Sequence, residues 1–294
     1  MQTVRYAGHE CCALENGQVR LLVTRSAGPR VLFFGFRNGE NLFAELPDFV
    51  IDCPGSGPFH IYGGHRLWHA PEVPGRTYLP DDEPVGISAF DNGLIATQQT
   101  EAKTGLQKSI EIRLDPVAAQ AVLTHRITNH GLWDVTCAPW AITQFKTGGT
   151  AVFPQAQMDK GVLPSRSLSL WPYTDMTDPH VHWGSQYILV QAGMRSAFKF
   201  GYPNPRGWQA YWLDGTLFVK HAAYHPQAEY YDFGSSSECY CNDRFIELET
   251  LAPVTTIAPG GEAVHVEAWN LYPDIERPQN EGDAGAIAEK LGLE

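Results

Sequence analysis

The sequence contains no apolar run that approaches the roughly 18 residues needed to cross a membrane. Its first residues form no apolar signal core, so we expect a cytoplasmic protein that does not bind a membrane. Basic charge is also scarce, because 21 Lys and Arg stand against 33 Asp and Glu and give the 294-residue chain a formal net charge of −12. A nucleic-acid-binding protein needs a basic face, and this balance excludes that class.

Cysteine and the common catalytic motifs are lacking as well. Six cysteines are too few for a disulfide scaffold in a chain of this length, and reduced thiols are the expectation. The sequence has no Gly-x-Ser-x-Gly turn, no Gly-x-x-x-x-Gly-Lys phosphate loop and no Cys-x-x-Cys pair. We therefore predict no cofactor and no metal ion.

Turn residues, in contrast, are abundant. The 28 Gly and 21 Pro interrupt the chain too often for long helices. Asp214-Gly215 separates two aromatic and β-branched runs, which predicts a tight hairpin over 209–220. Polar and apolar residues alternate in 110–114 and 264–269, as in half-buried antiparallel strands.

The predicted architecture is all-β. Only the tail, at about 283–294, has the pattern of a short helix, and no linker or repeat divides the sequence. We therefore predict one domain over 1–294, folded as a large antiparallel β-sandwich.

Polar and aromatic residues are concentrated at a Gly-Gly bend in 62–72. They are His65, Arg66, Trp68 and His69. The flanking Gly and Pro make a helix improbable, so the two histidines are not expected to form a helical metal pair. Two interpretations remain open: a ligand-binding loop, or a structural loop in which Trp68 packs inward and Arg66 pairs with Glu72.

Two further segments share this composition. In 125–144 a turn containing His130 follows a strand, and Trp140 lies beyond it. The turn histidine is either a ligand contact or part of a hydrogen-bonded turn. The long loop 170–186 contains His182, Trp183 and Gln186, and long loops inside compact domains tend to be functional.

The fourth segment, 244–253, has the pattern of a strand. Glu247 and Glu249 would then share one face, about 7 Å apart by strand rise. Two such carboxylates repel each other unless cations or a polar cavity compensate. The apolar flanks predict a partly buried carboxylate here.

Five short motifs resemble the galactose mutarotase-like superfamily, from about residue 20 to 272. They are Ala27-Gly-Pro-Arg-Val-Leu32 continuing through 39–43, Thr128-Asn129-His130 with Trp133, Leu248-Glu249-Thr250, Ala258-Pro-Gly-Gly-Glu262, and Leu67-Trp-His-Ala-Pro71. The last of these is similar to the Leu-Trp-Arg-Ala-Pro stretch in the last sandwich domain of large β-galactosidases. The resemblance implies a β-supersandwich that binds a small-molecule carbohydrate, with an aldose or hexose phosphate 1-epimerase as the enzyme form.

Mutarotation needs a base at the anomeric hydroxyl and an acid at the ring oxygen. The resemblance assigns the base to Glu249. The family's acid is a histidine, but the similar place here contains Gln186, with His182 four residues earlier. Glutamine cannot donate a proton as an acid does, so the candidate acids are His182, His130 and His65.

The same resemblance suggests how the sugar would be held. Trp68, Trp140 or Trp183 would offer an apolar platform to its C–H face, and Arg66 would bond its hydroxyls. His69, Gln186 and Glu247 complete the predicted binding set.

Three alternatives stand beside the epimerase hypothesis. A non-catalytic sugar-binding or sensor protein would keep the pocket without a working acid, and Gln186 favours it. A glycoside-cleaving enzyme would need Glu247 and Glu249 on both sides of the scissile bond, which one strand face serves poorly. A metal-dependent enzyme would use His60, His65 and His69. The oligomeric state is left open.

Overall fold

The fold is described from a computed structural model for residues 2–157 and 161–293. The first half of the chain forms β1 (Gln2–Tyr6), β2 (His9–Glu15), β3 (Val19–Thr24), β4 (Arg30–Phe36), β5 (Glu45–Cys53), β6 (Gly57–Gly63), β7 (His65–Ala70), α1 (Pro74–Thr77), β8 (Gly86–Phe90), β9 (Gly93–Thr97), β10 (Leu106–Leu114), β11 (Gln120–Asn129), β12 (Val135–Phe145) and β13 (Thr150–Pro154). The second half forms β14 (Ser169–Leu170), β15 (Val181–Trp183), β16 (Tyr187–Gln191), β17 (Phe198–Tyr202), β18 (Trp208–Leu213), β19 (Thr216–Ala222), α2 (Tyr231–Gly234), β20 (Ser237–Cys241), β21 (Ile246–Leu251), β22 (Thr255–Ile257), β23 (Glu262–Tyr272) and α3 (Glu281–Leu291).

Two large antiparallel sheets form the sandwich. The first sheet has the order β1-β2-β3-β4-β7-β12-β21-β20-β17-β14, with β22 paired to β12. The second has the order β15-β16-β13-β18-β19-β23-β11-β10-β9-β8. Strands account for 51% of the residues and helices for 7%, which confirms the all-β prediction. None of the described helices is long and apolar enough to cross a membrane.

The main core lies between the two sheets. Phe34, Phe43, Phe145, Phe218 and Trp269 are fully buried there, with ring centroids 5.0–6.3 Å apart in edge or tilted contacts. Such aromatic pairs stabilise beyond the area they bury. This core holds the two sheets face to face, so each sheet has one inner face and one outer face.

The outer face of the first sheet is covered by the separate hairpin β5–β6. Arg30 is fully buried beneath it and donates to the backbone carbonyls of Ile61 and His60, at 2.7 and 3.1 Å, and to Asp81 at 2.9 Å. Phe59 of the hairpin packs on Trp68 of the sheet, with ring centroids 5.4 Å apart. The hairpin therefore forms one wall above this face.

Several local predictions are confirmed. The hairpin predicted over 209–220 is β18–β19, and Asp214 and Gly215 have φ values of 48° and 81°, as a primed turn requires. Strand β10 alternates as predicted, with Ile110 and Ile112 buried. Burial also alternates in β23, but Val264 and Val266 are exposed there and the polar His265 and Glu267 are buried, because they belong to a hydrogen-bonded cluster between the sheets. The C-terminal helix α3 begins earlier than the pattern indicated, because Asn280 caps it by accepting from the Asp283 N–H.

Candidate functional site

Three central strands of the first sheet place different residues on its two faces. Arg66 pairs in register with Ile142, which pairs with Glu249 on the other side, so all three share the outer face. Trp68 and Trp140 are register partners on that same face. The segment 65–70, expected to be a loop, is thus a central strand. His65 and His69, at its odd-numbered positions, lie on the inner face, towards the second sheet.

Two glycines make the entry to this strand possible. Gly63 has a φ of 91°, and a Cβ there would lie 1.9 Å from the carbonyl oxygen of Ala44. Gly64 also has a positive φ, and its N–H donates to that same oxygen at 3.1 Å. The tight bend brings β6 and β7 together without a longer loop.

A pocket of about 260 Å³ opens on the outer face, beneath the β5–β6 hairpin. We call it the outer pocket. It is lined by Phe49, Ile51, Ile61, Arg66, Trp68, Glu72, Tyr78, Trp140, Tyr173, Lys199, Tyr240, Phe245 and Glu247. Aromatic walls with a few charged groups are typical of small-molecule sites.

The aromatic wall centres on Trp68. Its ring centroid lies 5.4 Å from that of Trp140 and 4.8 Å from that of Tyr78, both in edge contacts. The guanidinium of Arg66 lies 4.1 Å from the same centroid. These contacts hold Trp68 and Arg66 in fixed positions, as a recognition surface requires.

The charged floor centres on Glu247. Arg66 Nη2 donates to its Oε1 at 3.0 Å, and Gln144 Nε2 donates to the same oxygen at 2.8 Å. Burial, with the neighbouring charge of Glu249, raises the pKa of Glu247 to about 7 against the opposing effect of Arg66. Near neutral pH this carboxyl can therefore accept or release a proton.

Lys199 joins the floor from β17. Its Nζ donates to Glu249 Oε2 at 3.0 Å and lies 2.7 Å from Glu238 Oε2. Burial raises the pKa of Glu238 well above its ordinary value against the opposing charge of Lys199. Lys199 is therefore shared between two buried carboxyl groups. Trp140 Nε1 also donates to Glu249 Oε2, at 2.7 Å.

Several polar atoms at this floor have no hydrogen-bond partner among the described residues. They include Nε and Nη1 of Arg66, Nε1 of Trp68, Oε1 of Gln144 and Oε1 of Glu249. Buried polar groups in proteins are nearly always paired. Unpaired donors beside a pocket are therefore positioned to bond a ligand.

The inner face carries a second polar group, which we call the inner network. It consists of eight buried residues: His65, His125, Thr143, Lys220, Thr250, His265, Glu267 and Trp269. Trp269 also belongs to the aromatic core. His65 Nδ1 lies 2.9 Å from Thr143 Oγ1, and its Nε2 lies 2.7 Å from His125 Nε2.

Glu267 holds the other half of this network. Its Oε1 accepts from Lys220 at 2.8 Å and from Thr250 at 2.5 Å, and its Oε2 accepts from Trp269 at 2.8 Å. Burial alone would raise the pKa of Glu267, but Lys220 and the imidazoles outweigh it and hold that pKa well below its ordinary value. Burial lowers the pKa of His265 to about 3.

His65, His125 and Glu267 bring possible metal-ligand atoms within 4.8 Å of one another. Each of these side chains already has protein partners, and the ammonium of Lys220 supplies the positive charge beside Glu267. This donor set works as a hydrogen-bonded network between the sheets.

The predicted site residues separate into two groups. Arg66, Trp68, Trp140 and Glu247 line the outer pocket, and Glu249 lies fully buried beneath its floor. Glu247 and Glu249 share a face as predicted. Arg66 pairs with Glu247 and not with Glu72, which instead accepts from Tyr78.

The remaining predicted residues lie elsewhere. His65 belongs to the inner network, and His69 lies on the same inner face. His130 lies in the turn after β11, 3.2 Å from Gln107 Oε1. His182 and Trp183 belong to β15 at the edge of the second sheet.

Gln186 does not take the place of a general acid at the pocket. It is exposed in the turn between β15 and β16, where its backbone N–H donates to Glu281. The metal alternative also fails geometrically, since His60 bonds Asp82 at 2.9 Å on the β5–β6 hairpin while His65 and His69 face the interior.

Sequence reasoning missed Lys199, Tyr173 and Tyr240. A signal for Lys199 exists, because it is the only charged residue within the apolar strand 198–202, and buried lysines are almost always paired. Tyr173 lies in the loop 170–186 that the sequence indicated as functional, but it was not singled out there. Tyr240 has no such local signal.

No family model matches the sequence, and no curated protein matches it. Solved structures do match in three dimensions. A candidate aldose 1-epimerase from Klebsiella pneumoniae has a TM-score of 0.59 at 11% identity, over 97% of this chain and 83% of that one. A galactose mutarotase-like protein from Lactobacillus casei has a TM-score of 0.54 at 10% identity, over 89% of this chain and 100% of that one.

The same fold also occurs in a protein that is not described as a mutarotase. A TPR-domain containing protein from Parabacteroides distasonis has a TM-score of 0.62 at 12% identity, over 93% of this chain and 50% of that one. At these identities the comparisons show the fold alone. The chain has the galactose mutarotase-like fold, a large all-β sandwich, as predicted.

Proposed function

We propose that this chain binds a carbohydrate in the outer pocket, one pyranose ring at a time. The observation that carries the proposal is the combination of an aromatic wall with unpaired buried donors. Trp68 and Trp140 offer flat apolar surfaces to the C–H face of a sugar. Arg66 offers two nitrogens, Nε and Nη1, whose N–H groups no described residue accepts.

The size and charge of the pocket agree with a sugar. Its volume of about 260 Å³ is just below the ~300–1,000 Å³ typical of pockets for drug-sized ligands. The acidic and basic groups are interleaved, so the floor suits hydroxyl groups, which donate and accept alike.

A second candidate function is aldose 1-epimerase activity, and the raised pKa of Glu247 favours it. Glu247 lines the pocket, whereas Glu249 is held beneath it by Trp140 and Lys199. We therefore assign the base to Glu247 in place of Glu249. None of the described pocket-lining residues is a histidine, so Lys199 is the cation that would face the ring oxygen.

One experiment tests both functions. One-dimensional NMR follows anomer exchange and ligand linewidth for a panel of aldoses and hexose phosphates, with wild type and with Trp68→Ala. We expect broadening for at least one sugar with wild type and its loss in the variant. Accelerated anomer exchange would show that the protein is also an epimerase. Line broadening without acceleration would show that it binds the sugar and does not catalyse the exchange. A panel that shows neither with wild type would contradict the proposal.

A further inference from the structure

A second concave surface lies beside the outer pocket, on the same face of the first sheet. We call it the outer groove; it has a volume of about 270 Å³ and is lined by Ser169, Leu170, Trp171, Pro172, Asp232 and Phe233. Its strand β14 pairs with β17, the strand that carries Lys199. The groove and the pocket are therefore neighbours in the sheet.

A single ammonium group joins the two surfaces. Lys199 Nζ lies 4.6 Å from the ring centroid of Trp140, in the pocket, and 4.7 Å from that of Trp171, in the groove. Two residues beyond Trp171, Tyr173 lines the pocket. The ammonium group of Lys199 and the segment 171–173 therefore separate the two surfaces.

The groove presents an aromatic ring held in the solvent. Phe233 is 96% exposed, and both Asp232 and Phe233 have left-handed backbones, with φ values of 52° and 59°. That conformation costs energy for residues other than glycine. The hydroxyls of Ser169 and Ser235 donate to the Asp232 carbonyl at 2.8 and 2.7 Å and fix it.

We propose that the outer groove is a second sugar subsite, so that the ligand is a disaccharide or a longer oligosaccharide. This inference rests on the proposed function of the outer pocket. The sugar with the free anomeric carbon occupies the pocket, and the next ring lies in the groove. Phe233 and Trp171 contact its C–H face, and the Asp232 carboxylate, which has no cationic partner among the described side chains, accepts from its hydroxyls.

The volumes support one ring in each site. The pocket and the groove differ by only about 10 Å³. An apolar partner protein would need no carboxylate in the groove, and a single sugar would leave Phe233 uncovered. Charge and continuity with the pocket therefore favour a saccharide over either alternative.

The test is a calorimetric titration with glucose and galactose and with maltose, cellobiose and lactose. We expect at least one disaccharide to bind about tenfold more tightly than its reducing-end monosaccharide. Phe233→Ala would remove that gain and leave the monosaccharide affinity unchanged. Trp133→Ala is the matched control, because Trp133 is 81% exposed in the loop after β11, on the second sheet.

The outcomes separate the subsite from the pocket. Equal affinities for monosaccharides and disaccharides with wild type would overturn the subsite while leaving the pocket intact. An unchanged disaccharide gain in Phe233→Ala would also overturn it. Binding of no saccharide would overturn the proposed function itself. Sedimentation of both variants adds one check: if Phe233→Ala converted a dimer to a monomer, the groove would be an interface between copies of this chain.

Discussion

The inner network and the outer pocket lie on opposite faces of one sheet and differ in how far their polar groups are paired. The same strands, β7, β12 and β21, place Arg66 and Glu247 outside and His65 and Thr250 inside. Inside, both oxygens of Glu267 accept hydrogen bonds from neighbouring side chains. Outside, the side chain of Arg66 has two nitrogens that bond no described residue.

This difference distinguishes a structural network from a recognition surface. A buried polar network that is fully paired stiffens the fold and has no bonds left for a ligand. A buried group left unpaired costs stability, and a fold keeps it where a ligand completes it. The inner network and the floor of the outer pocket are similarly buried, so pairing is the feature that separates these two groups of residues. His69 lies on the inner face outside the network, and neither of its ring nitrogens bonds a described residue.

The largest expected effect is on the inner face. Lys220→Met would leave Glu267 buried without its cation and should lower the free energy of unfolding by about 3–5 kcal/mol. Arg66→Met is the matched change outside. Without Arg66, Glu247 can take up a proton, because its pKa is already about 7 when Arg66 is present. Arg66→Met should therefore lower the free energy of unfolding by only about 1–2 kcal/mol. Urea denaturation measures both, and equal losses would remove the distinction between the faces.

The next largest effect is expected on the rate of anomer exchange in the outer pocket. Burial raises the pKa of Glu247 to about 7, so its basic form accumulates as the pH rises through 7. If the chain is an epimerase, the rate of anomer exchange should rise with a midpoint near that pH. Glu247→Gln should lower the rate about 100-fold and remove the midpoint. Glu249→Gln should retain a midpoint but move it to a lower pH, because the charge of Glu249 helps to raise the pKa of Glu247. A midpoint that disappears in Glu249→Gln and remains in Glu247→Gln would return the base to Glu249.

A smaller effect is expected on the free energy of unfolding at acid pH, through His265 of the inner network. Burial lowers the pKa of His265 from its ordinary value of about 6.5 to about 3. As the pH falls, the imidazole takes up a proton in the unfolded chain before it does so in the folded one. The stability that the neutral His265 contributes is therefore complete above about pH 6.5 and is lost as the pH falls below it. At pH 5 the loss should be about 2 kcal/mol. His265→Gln should reduce the difference in unfolding free energy between pH 7.5 and 5, and an unchanged difference would contradict the assignment.

Local sequence patterns predicted the strands but not the sides they face. The hairpin β18–β19 and the strand β21 follow from turn residues and alternation within about a dozen residues. The segment 65–70 was expected to be a loop, so His65, Arg66, Trp68 and His69 were grouped in one site. In a strand, alternate residues point to opposite faces, and this parity separates the histidines from Arg66 and Trp68.

Long-range register accounts for the rest of what the sequence missed. Lys199 reaches the pocket because β17 lies beside β20, and β20 beside β21. His125 meets His65 across the sandwich from 60 positions away. No pattern within one strand encodes which strands become neighbours, so these contacts required the folded structure.

The most direct test of the two-face account is a nitrogen-15 NMR titration of the eight tryptophan indole N–H groups with the sugar that binds most tightly. Trp68 and Trp140 belong to the outer pocket, and Trp269 donates to Glu267 in the inner network. Substitution of each by phenylalanine assigns its resonance. The account predicts that saturating sugar shifts the resonances of Trp68 and Trp140 and leaves that of Trp269 in place. A sugar that shifts Trp269 while Trp68 and Trp140 stay unchanged would contradict it.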